Sequence, residues 1–235
     1  MFVEYNIDRS ILDTFPEVKI GVLVCRDVDV EKSIPALENY KNMVVLETEE
    51  RLGSEPVTRH PFIASWREMY KSFGTRPGDY RPSSEALVRR ALKAKVLPTI
   101  NTAVDAYNAV SVRHLIPMGG FDLDKVEGRI TLRLSEGGEA FLSLGASETE
   151  ETYRGEPVYA DEVRILTRRW NFRDCNETKI TQETREIAMF IDGSGVVPRE
   201  NVDKALRELE AILMEHCGGE YASAVADVGN PSVSL

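Results

Sequence analysis

Three polar residues that could do chemistry recur at helical spacing near the middle of the chain. Asn101, Asp105 and Asn108 lie in the segment INTAVDAYNAV at 100–110. At about 100° per residue, this spacing places them on one face of an α-helix. A carboxylate and two amides on one face could position a water molecule or an amino group. The same side chains could instead fasten a loop to the helix, and the spacing leaves both roles open.

A second segment, RRWNFRDCNETK at 168–179, mixes arginines with aromatic residues. Arginines suit phosphate contact, and aromatic rings suit stacking on a base or a ribose. The candidate binding residues in this segment are Arg168, Arg169, Trp170, Asn171, Arg173, Thr178 and Lys179. The alternative is a strand at the rim of a sheet, with its aromatic rings in the core and its arginines reaching solvent.

Charge is distributed unevenly along these 235 residues, whose formal net charge is −10. Five basic residues against one acid give 81–95 a local charge of +4, and five against two give 164–179 a local charge of +3. An acidic body with two basic patches can bind one polyanion in one place. Arg81, Ser84 and Glu85 are candidates for a wall of such a site. The alternative is two solvated surfaces.

The sequence lacks the signals that mark several functional classes. The three cysteines are far apart and the three histidines are scattered, so we expect neither a disulfide framework nor a metal site. No apolar run approaches the roughly 18 residues of a membrane span, and the N-terminus lacks a secretory pattern. The default expectation is a cytoplasmic protein without a cofactor. Gly119-Gly120 lacks the context of a dinucleotide-binding loop and is predicted to be a turn.

Hydrophobic periodicity predicts the elements that must position these residues. Helices are expected at 31–52, 61–73, 83–95 and 198–217, besides the helix with the polar face; strands are expected at 18–24, 128–134, 139–144, 157–160, 162–167 and 187–191. The strands at 128–134 and 139–144 are predicted to form an antiparallel hairpin. The last 16 residues are predicted to be a short strand and a loose tail. Helices and strands without a β-α-β rhythm favour an α+β fold, here as a single compact domain over 1–235.

The central stretch resembles the B-three/B-four editing domain of the phenylalanyl-tRNA synthetase β chain. The family pattern is approximately N-V-V-D-x-x-N-Y-V, then five residues, then Q-P-x-H-A-F-D-x-D-x-I-E-G-G-I-x-V-R. This chain has TAVDAYNAV at 102–110 and, five residues later, IPMGGFDLDKVEGRITLR at 116–133. The resemblance continues to CGGE at 217–220, so it covers about 98–220, and residues 1–97 are expected to pack onto that part.

The resemblance implies an α+β domain with mixed and antiparallel sheets, packed helices and a tRNA partner. In the synthetase, this domain hydrolyses the ester of tRNA that carries the wrong amino acid. The segments HPFIASWREMY and YRPSSEALVRRAL, at 60–70 and 80–92, resemble stand-alone proteins built on the domain. We therefore expect an aminoacyl-tRNA deacylase acting in trans on the aminoacylated 3′ end, with no membrane or DNA partner. The catalytic candidates are Asn101, Asp105 and Asn108.

Two other functions remain open from the sequence. One is a tRNA-binding module without catalysis, and the other is a binder or hydrolase of a small amino-acid derivative. Two departures from the family lie at its amino-acid pocket. Gly119 replaces the histidine of H-A-F-D, with Gly120 in place of the alanine, and the segment 167–174 replaces a strand of the form G-G-x-x-G-G. Gly119 and Gly120 are therefore also expected at the pocket.

Overall fold

Residues 3–235 are described by a computed structural model, which confirms the α+β prediction. The helices are α1 (Arg9–Thr14), α2 (Pro35–Leu52), α3 (Pro61–Ser72), α4 (Ser83–Ala94), α5 (Thr102–His114) and α6 (Arg199–Cys217). The strands are β1 (Glu4–Ile7), β2 (Lys19–Arg26), β3 (Met118–Asp122), β4 (Ile130–Leu134), β5 (Ala140–Phe141), β6 (Glu150–Glu151), β7 (Pro157–Ala160), β8 (Ile165–Arg168), β9 (Arg173–Asp174), β10 (Ile187–Gly193), β11 (Glu220–Ala226) and β12 (Ser232–Ser234).

Two sheets carry most of these strands. The first has the order β12-β1-β4-β7-β8-β9 and is mixed, because β1 and β4 are parallel and the other neighbours are antiparallel. The second has the order β11-β2-β10-β3 and is antiparallel throughout. The short strands β5 and β6 pair separately. None of the helices in residues 3–235 is long and apolar enough to span a membrane.

Aromatic rings join the two sheets. Tyr5 and Tyr159 of the first sheet contact Phe190 of the second, with ring centroids 5.1 and 5.0 Å apart. Phe121, also in the second sheet, lies 6.2 Å from Tyr159. Such ring pairs favour tilted geometries and add to the apolar area that each ring buries. Helices α5 and α6 share a second apolar cluster with the strands β2, β3 and β10.

Three expectations from the sequence were wrong. Gly119 and Gly120 do not form a turn but lie in β3, opposite Phe190 and Met189 of β10. The predicted hairpin of 128–134 with 139–144 does not form, since β4 pairs with β1 and β7 while β5 pairs with β6. The C-terminal tail is not loose: β11 pairs with β2 and β12 with β1. Alternation of apolar residues reports which face is buried, but not which strand is the neighbour.

One carboxylate connects α2, α5 and α6. Glu208 of α6 accepts hydrogen bonds from Tyr40 of α2 at 2.6 Å and Arg113 of α5 at 3.0 Å, and His114 Nε2 lies 2.6 Å away. Partial burial opposes ionisation of this carboxyl. The hydrogen bonds of His114 and Tyr40 and the charges of His114 and Arg113 outweigh the burial and lower its pKa to about 2.

We expect Glu208→Gln to lower the free energy of unfolding at pH 7 by about 1.5–3 kcal/mol, a range typical of hydrogen bonds to charged groups. The folded pKa lies below the unfolded value, so the stabilisation is complete above about pH 4.5 and is lost as the pH falls towards 2. Urea unfolding between pH 3 and 7 measures the difference. Glu215→Gln, an exposed change on the same helix, is the control. A deficit that does not shrink on acidification would contradict the assignment.

Candidate functional site

The polar face predicted from the sequence divides into two environments. Asn101 is the N-cap of α5: its Oδ1 accepts from the backbone N–H of Val104 at 2.9 Å, and its Nδ2 donates to the carbonyl of Ile180 at 3.1 Å. Asp105 is buried in the protein interior. Asn108 is partly exposed and lines a groove on the surface. Of the three residues, only Asn108 is therefore placed to meet a ligand.

Asp105 forms an ion pair with Lys41, and both side chains are about 1% exposed. Lys41 Nζ lies 2.8 Å from Asp105 Oδ2 and 2.9 Å from Glu38 Oε1. Asp105 Oδ1 accepts from the backbone N–H of Ile100 at 2.9 Å. Burial raises the pKa of Asp105 although these partners favour its charged form. This carboxylate ties α5 to α2 and to the segment before α5, which is the fastening role that the sequence left open.

Two adjoining cavities form the candidate site. We call the smaller one, of about 110 Å³, the inner chamber, and the larger one, of about 400 Å³, the outer groove. The inner chamber lies between the second sheet and the β8–β9 hairpin, and the outer groove runs along α4 and α5. The residues that line both cavities are Ser83, Met118, Phe172 and Arg173, and we call the space between them the passage.

Two carboxylates line the inner chamber. Asp192 of β10 is 3% exposed and accepts hydrogen bonds from Tyr159 Oη at 2.6 Å and Asn171 Nδ2 at 3.1 Å. Burial raises its pKa to about 7 in spite of these donors. Asp174 of β9 accepts from Thr167 Oγ1 at 2.7 Å, and burial raises its pKa to about 6. Apolar and aromatic side chains, including Phe121, surround both carboxylates in the chamber wall.

Gly119 leaves the Asp174 carboxylate open to the inner chamber. A Cβ at this position would lie 3.6 Å from Asp174 Oδ2 and 3.7 Å from Oδ1. A longer side chain, such as the histidine of the family pattern, would therefore extend into the space in front of the carboxylate. Gly120 faces differently, since its Cβ would meet the carbonyl oxygen of Ala188 at 3.0 Å. Gly120 thus allows β3 to approach β10 closely and does not line either cavity.

The outer groove carries the opposite charge. Arg81, Arg90 and Arg173 line it and are exposed, together with Asn108 and one acid, Asp79. Asp79 faces Arg76 at 3.8 Å. Arg81 lies 4.0 Å from Glu85, whose carboxylate is engaged more closely by Arg67 at 2.8 Å. The guanidinium groups of the groove are thus accessible to an anion.

The loop of the β8–β9 hairpin shapes both cavities. Arg169 and Trp170 have φ angles of 49° and 66°, a conformation that favours glycine, in the segment where the family pattern has glycines. Trp170 compensates by packing its ring against Trp66 and Phe15, with centroids 5.2 and 5.4 Å away. Trp170 is therefore buried, which corrects the expectation that it stacks on a base. Instead, the Arg169 guanidinium lies 3.8 Å from the ring centroid of the partly exposed Tyr80.

Several other candidates lie away from the cavities. Arg168 is buried and paired with Glu156 at 2.8 Å and Glu150 at 2.7 Å, so its guanidinium is not free to hold a phosphate. Thr178 is buried against Cys175, and Lys179 is exposed beside Asn176. The residues of the predicted set that line neither cavity are Asn101, Asp105, Ser84, Glu85, Gly120, Arg168, Arg169, Thr178 and Lys179. Arg169 instead lies against Tyr80, which lines neither cavity.

The cavities also contain residues that the sequence did not single out. Asp174 lay inside the arginine-rich segment, so its position was close to a recognised signal. Asp192 and Tyr159 lie in apolar strands, where nothing in the pattern distinguished them. Ser83 was adjacent to a predicted candidate. Among residues 3–235, no group of His, Cys, Asp and Glu side chains is arranged to hold a metal ion.

Comparison with known proteins matches this chain to one protein domain and to several phenylalanine–tRNA ligase β subunits. A sequence model of the B3/4 domain matches residues 65–218, beginning before the 98–220 expected from the motif. The phenylalanine–tRNA ligase β subunit of Fusobacterium nucleatum is 28% identical over 162 residues, or 60% of this chain and 20% of the relative. That of Vibrio vulnificus is 32% identical over 151 residues, or 54% of this chain and 19% of the relative.

The chain thus spans about one fifth of the length of these relatives. Among solved structures, an N-terminal fragment of the phenylalanyl-tRNA synthetase β subunit from Pyrococcus horikoshii aligns with 92% of this chain and 49% of that one. Its TM-score is 0.47 and its sequence identity is 15%.

We expect Asp105→Ala to lower the free energy of unfolding by about 3 kcal/mol, because it leaves the buried Lys41 ammonium with the partly exposed Glu38 carboxylate and the Thr99 hydroxyl. The double variant Lys41→Met/Asp105→Leu removes both charges and should recover most of that loss. Guanidinium chloride unfolding of both variants and the unmodified chain measures the effect. A stable Asp105→Ala protein would contradict the fastening role and return Asp105 to the catalytic candidates.

Proposed function

The chain belongs to the B3/4 domain family, and we propose that it binds tRNA and hydrolyses the ester of misacylated aminoacyl-tRNA in trans. One observation carries the proposal. Two adjoining cavities differ in charge: two carboxylates and the shared Arg173 line the inner chamber, and three exposed arginines with one acid, Asp79, line the outer groove. A ligand that fills both should be cationic at one end and anionic at the other. We infer the substrate from this polarity together with the family.

The 3′ end of an aminoacyl-tRNA has this polarity. Its α-ammonium group would enter the inner chamber, where Asp192 and Asp174 provide negative charge and aromatic walls favour a cation. The phosphates of the terminal nucleotides would lie along the outer groove with Arg81, Arg90 and Arg173. The ester, which joins the amino acid to the ribose, would then lie in the passage. An inner chamber of about 110 Å³ favours a small acyl group.

Asp174 is the residue best placed to activate water. Thr167 donates to its Oδ1, and Gly119 leaves the carboxylate open to the chamber. In the proposed step, the carboxylate accepts a proton from water as the water oxygen attacks the ester carbonyl carbon. The bond to the ribose oxygen then breaks, and that oxygen takes up the proton. An activated ester needs little more than an oriented water and a stabilised carbonyl oxygen.

The Tyr80 and Phe172 rings offer a stacking surface beside the passage. They meet edge to face at 5.2 Å, and Phe172 also lines the passage. A terminal base would stack on these two rings and not on Trp170, the stacking residue expected from the sequence. Stacking on an aromatic ring contributes about 1–3 kcal/mol per base and tolerates any base.

A tRNA-binding module without catalysis is the second candidate. The observation in its favour is Gly119, which stands where the family pattern has a histidine. Under this alternative the arginine-lined groove would still bind the tRNA end, but Asp174 would activate no water. Salt-sensitive tRNA binding that ignores the acyl group, without release of amino acid, would support it.

The deciding experiment is release of amino acid from a full panel of charged and mischarged tRNAs by the purified chain. We expect hydrolysis of at least one small aminoacyl ester, with kcat/KM rising as the pH increases through about 6, since Asp174 must be ionised to accept a proton. Asp174→Asn should lower kcat/KM by about 10²–10⁴-fold and remove that rise.

Glu177→Gln, an exposed change three residues away, is the control and should behave like the unmodified chain. Absence of hydrolysis across the whole panel would refute the deacylase proposal. Hydrolysis that persists in Asp174→Asn would keep the reaction but move the base elsewhere.

Tyr80→Ala should weaken tRNA binding by about 5–150-fold if a base stacks on this ring, the range that corresponds to 1–3 kcal/mol. Tyr80→Phe keeps the ring and should bind like the unmodified chain. Filter binding of uncharged tRNA at fixed low salt measures both. Equal affinity of the alanine variant would exclude Tyr80 from the interface.

A further inference from the structure

Every charged side chain on the exposed face of α4 is positive. Arg89, Arg90 and Lys93 are exposed, and at about 100° per residue they lie on one side of the helix. We call these three residues the basic face of α4. The only acid in this helix, Glu85, is fully buried. On a chain whose formal net charge is −10, the basic face is a local excess of charge that attracts anions.

The buried carboxylate of Glu85 neutralises only part of the charge around it. Arg67 of α3 engages it most closely, with Nη1 at 3.0 and 2.8 Å from its two oxygens. Arg89 Nη1 lies 3.4 Å and Arg81 Nε 4.0 Å from Oε1. Three guanidinium groups thus share one carboxylate. Two positive charges are left in excess, and the side chains of Arg81 and Arg89 are 46% and 48% exposed.

The other two cations of the basic face have no counter-charge. Neither Arg90 nor Lys93 has a hydrogen-bond or ion-pair partner among residues 3–235. Like charges three or four residues apart destabilise a helix, and Lys93 is so spaced from both Arg90 and Arg89. An anion bound from outside the chain would remove this repulsion.

The basic face extends the outer groove. Arg90 belongs to both, whereas Arg89 and Lys93 line neither cavity. Lys93 is ten residues along α4 from Ser83, which lines the passage, and a rise of 1.5 Å per residue makes this about 15 Å. An anion that covers the groove and the basic face must therefore be long and carry repeated charges.

We propose that the basic face of α4 binds phosphates of the double-stranded stem next to the 3′ end of the tRNA. The inference rests on the proposed function, which places the single-stranded end in the outer groove. Because the stem adjoins that end, its backbone would leave the groove along α4. Double-stranded RNA is recognised mostly by shape and by contacts to phosphates and 2′ hydroxyls. The basic face suits such contacts, since α4 has cations but no aromatic ring for stacking.

The first test compares two uncharged RNAs. One is a minihelix that consists of an acceptor stem ending in ACCA, and the other is the tetranucleotide ACCA alone. By fluorescence anisotropy at about 50 mM salt, the unmodified chain should bind the minihelix more tightly. Arg89→Gln/Lys93→Gln should weaken minihelix binding about tenfold and flatten the slope of log affinity against log salt by about 2, one for each phosphate contact. Binding of the tetranucleotide should stay unchanged.

The matched control removes the same charge from another helix. Lys204 and Arg207 of α6 are exposed, line neither cavity and have no hydrogen-bond or ion-pair partner in the described part of the chain. Lys204→Gln/Arg207→Gln should bind both RNAs like the unmodified chain. A loss of minihelix binding equal to that of Arg89→Gln/Lys93→Gln would show a general effect of net charge and overturn the inference.

The second test is kinetic. With the best aminoacyl-tRNA from the deacylation panel, Arg89→Gln/Lys93→Gln should raise KM about tenfold and leave kcat unchanged, because the stem lies away from the ester. A fall in kcat without a change in KM would contradict a binding role.

The outcomes separate this inference from the proposed function. Deacylation by the unmodified chain, with unchanged minihelix binding in Arg89→Gln/Lys93→Gln, would overturn the stem contact and leave the deacylase standing. Absence of deacylation, with weakened minihelix binding in that variant, would refute the deacylase and support the stem contact.

Three further results would overturn the stem contact. One is an equal loss of tetranucleotide binding in Arg89→Gln/Lys93→Gln, which would place both residues at the single-stranded end. Another is binding of polyglutamate as tight as that of the minihelix, which would indicate an acidic protein partner. The third is no binding of either RNA by the unmodified chain, which would also refute the proposed tRNA binding.

Discussion

The burial of Trp170 is the constraint on which the candidate site depends. Its ring packs between Trp66 of α3 and Phe15, and this packing holds Arg169 and Trp170 at positive φ. Backbone strain of this kind persists only where the surroundings over-determine it. Here the strained turn gives the site its shape, because it directs Asn171 inward, to Asp192, and places Phe172 and Arg173 at the passage.

Keeping two carboxylates with raised pKa values in one chamber lowers the free energy of unfolding at neutral pH. Burial places the folded pKa values of Asp174 and Asp192 at about 6 and about 7, above the value of 3.8 for an unfolded chain. Relative to neutral pH, these two groups therefore stabilise the fold fully below about pH 4. This stabilisation is lost as the pH rises through 6 and 7. At neutral pH they oppose folding, and groups retained at such a cost cluster at functional sites. A cationic ligand would remove the penalty by pairing with them.

Much of the fold could be predicted from the sequence because local rules determine it. The helices α3, α4 and α6 begin and end within a few residues of the predicted positions, since apolar periodicity and a proline at the start mark all three. A glycine follows α3 and α6, and a proline follows α4. Strand pairing could not be predicted. The neighbours of β4 are β1 and β7, from other parts of the chain, and no residue pattern within β4 identifies them.

The same distinction applies to the site. Asp105 and Asn108 share a helix face, but a partner on another helix, Lys41, takes Asp105 into the interior, and only Asn108 reaches the groove. Arg168 and Arg173 occur in one basic segment, but Glu156 neutralises the first while the second lines the passage. A residue type and its spacing define what chemistry is possible. Which residue of a set performs the chemistry depends on the side chains that contact it from elsewhere in the chain. In this protein, the deciding contacts are those of the buried residues that pair with the β8–β9 hairpin and with α5.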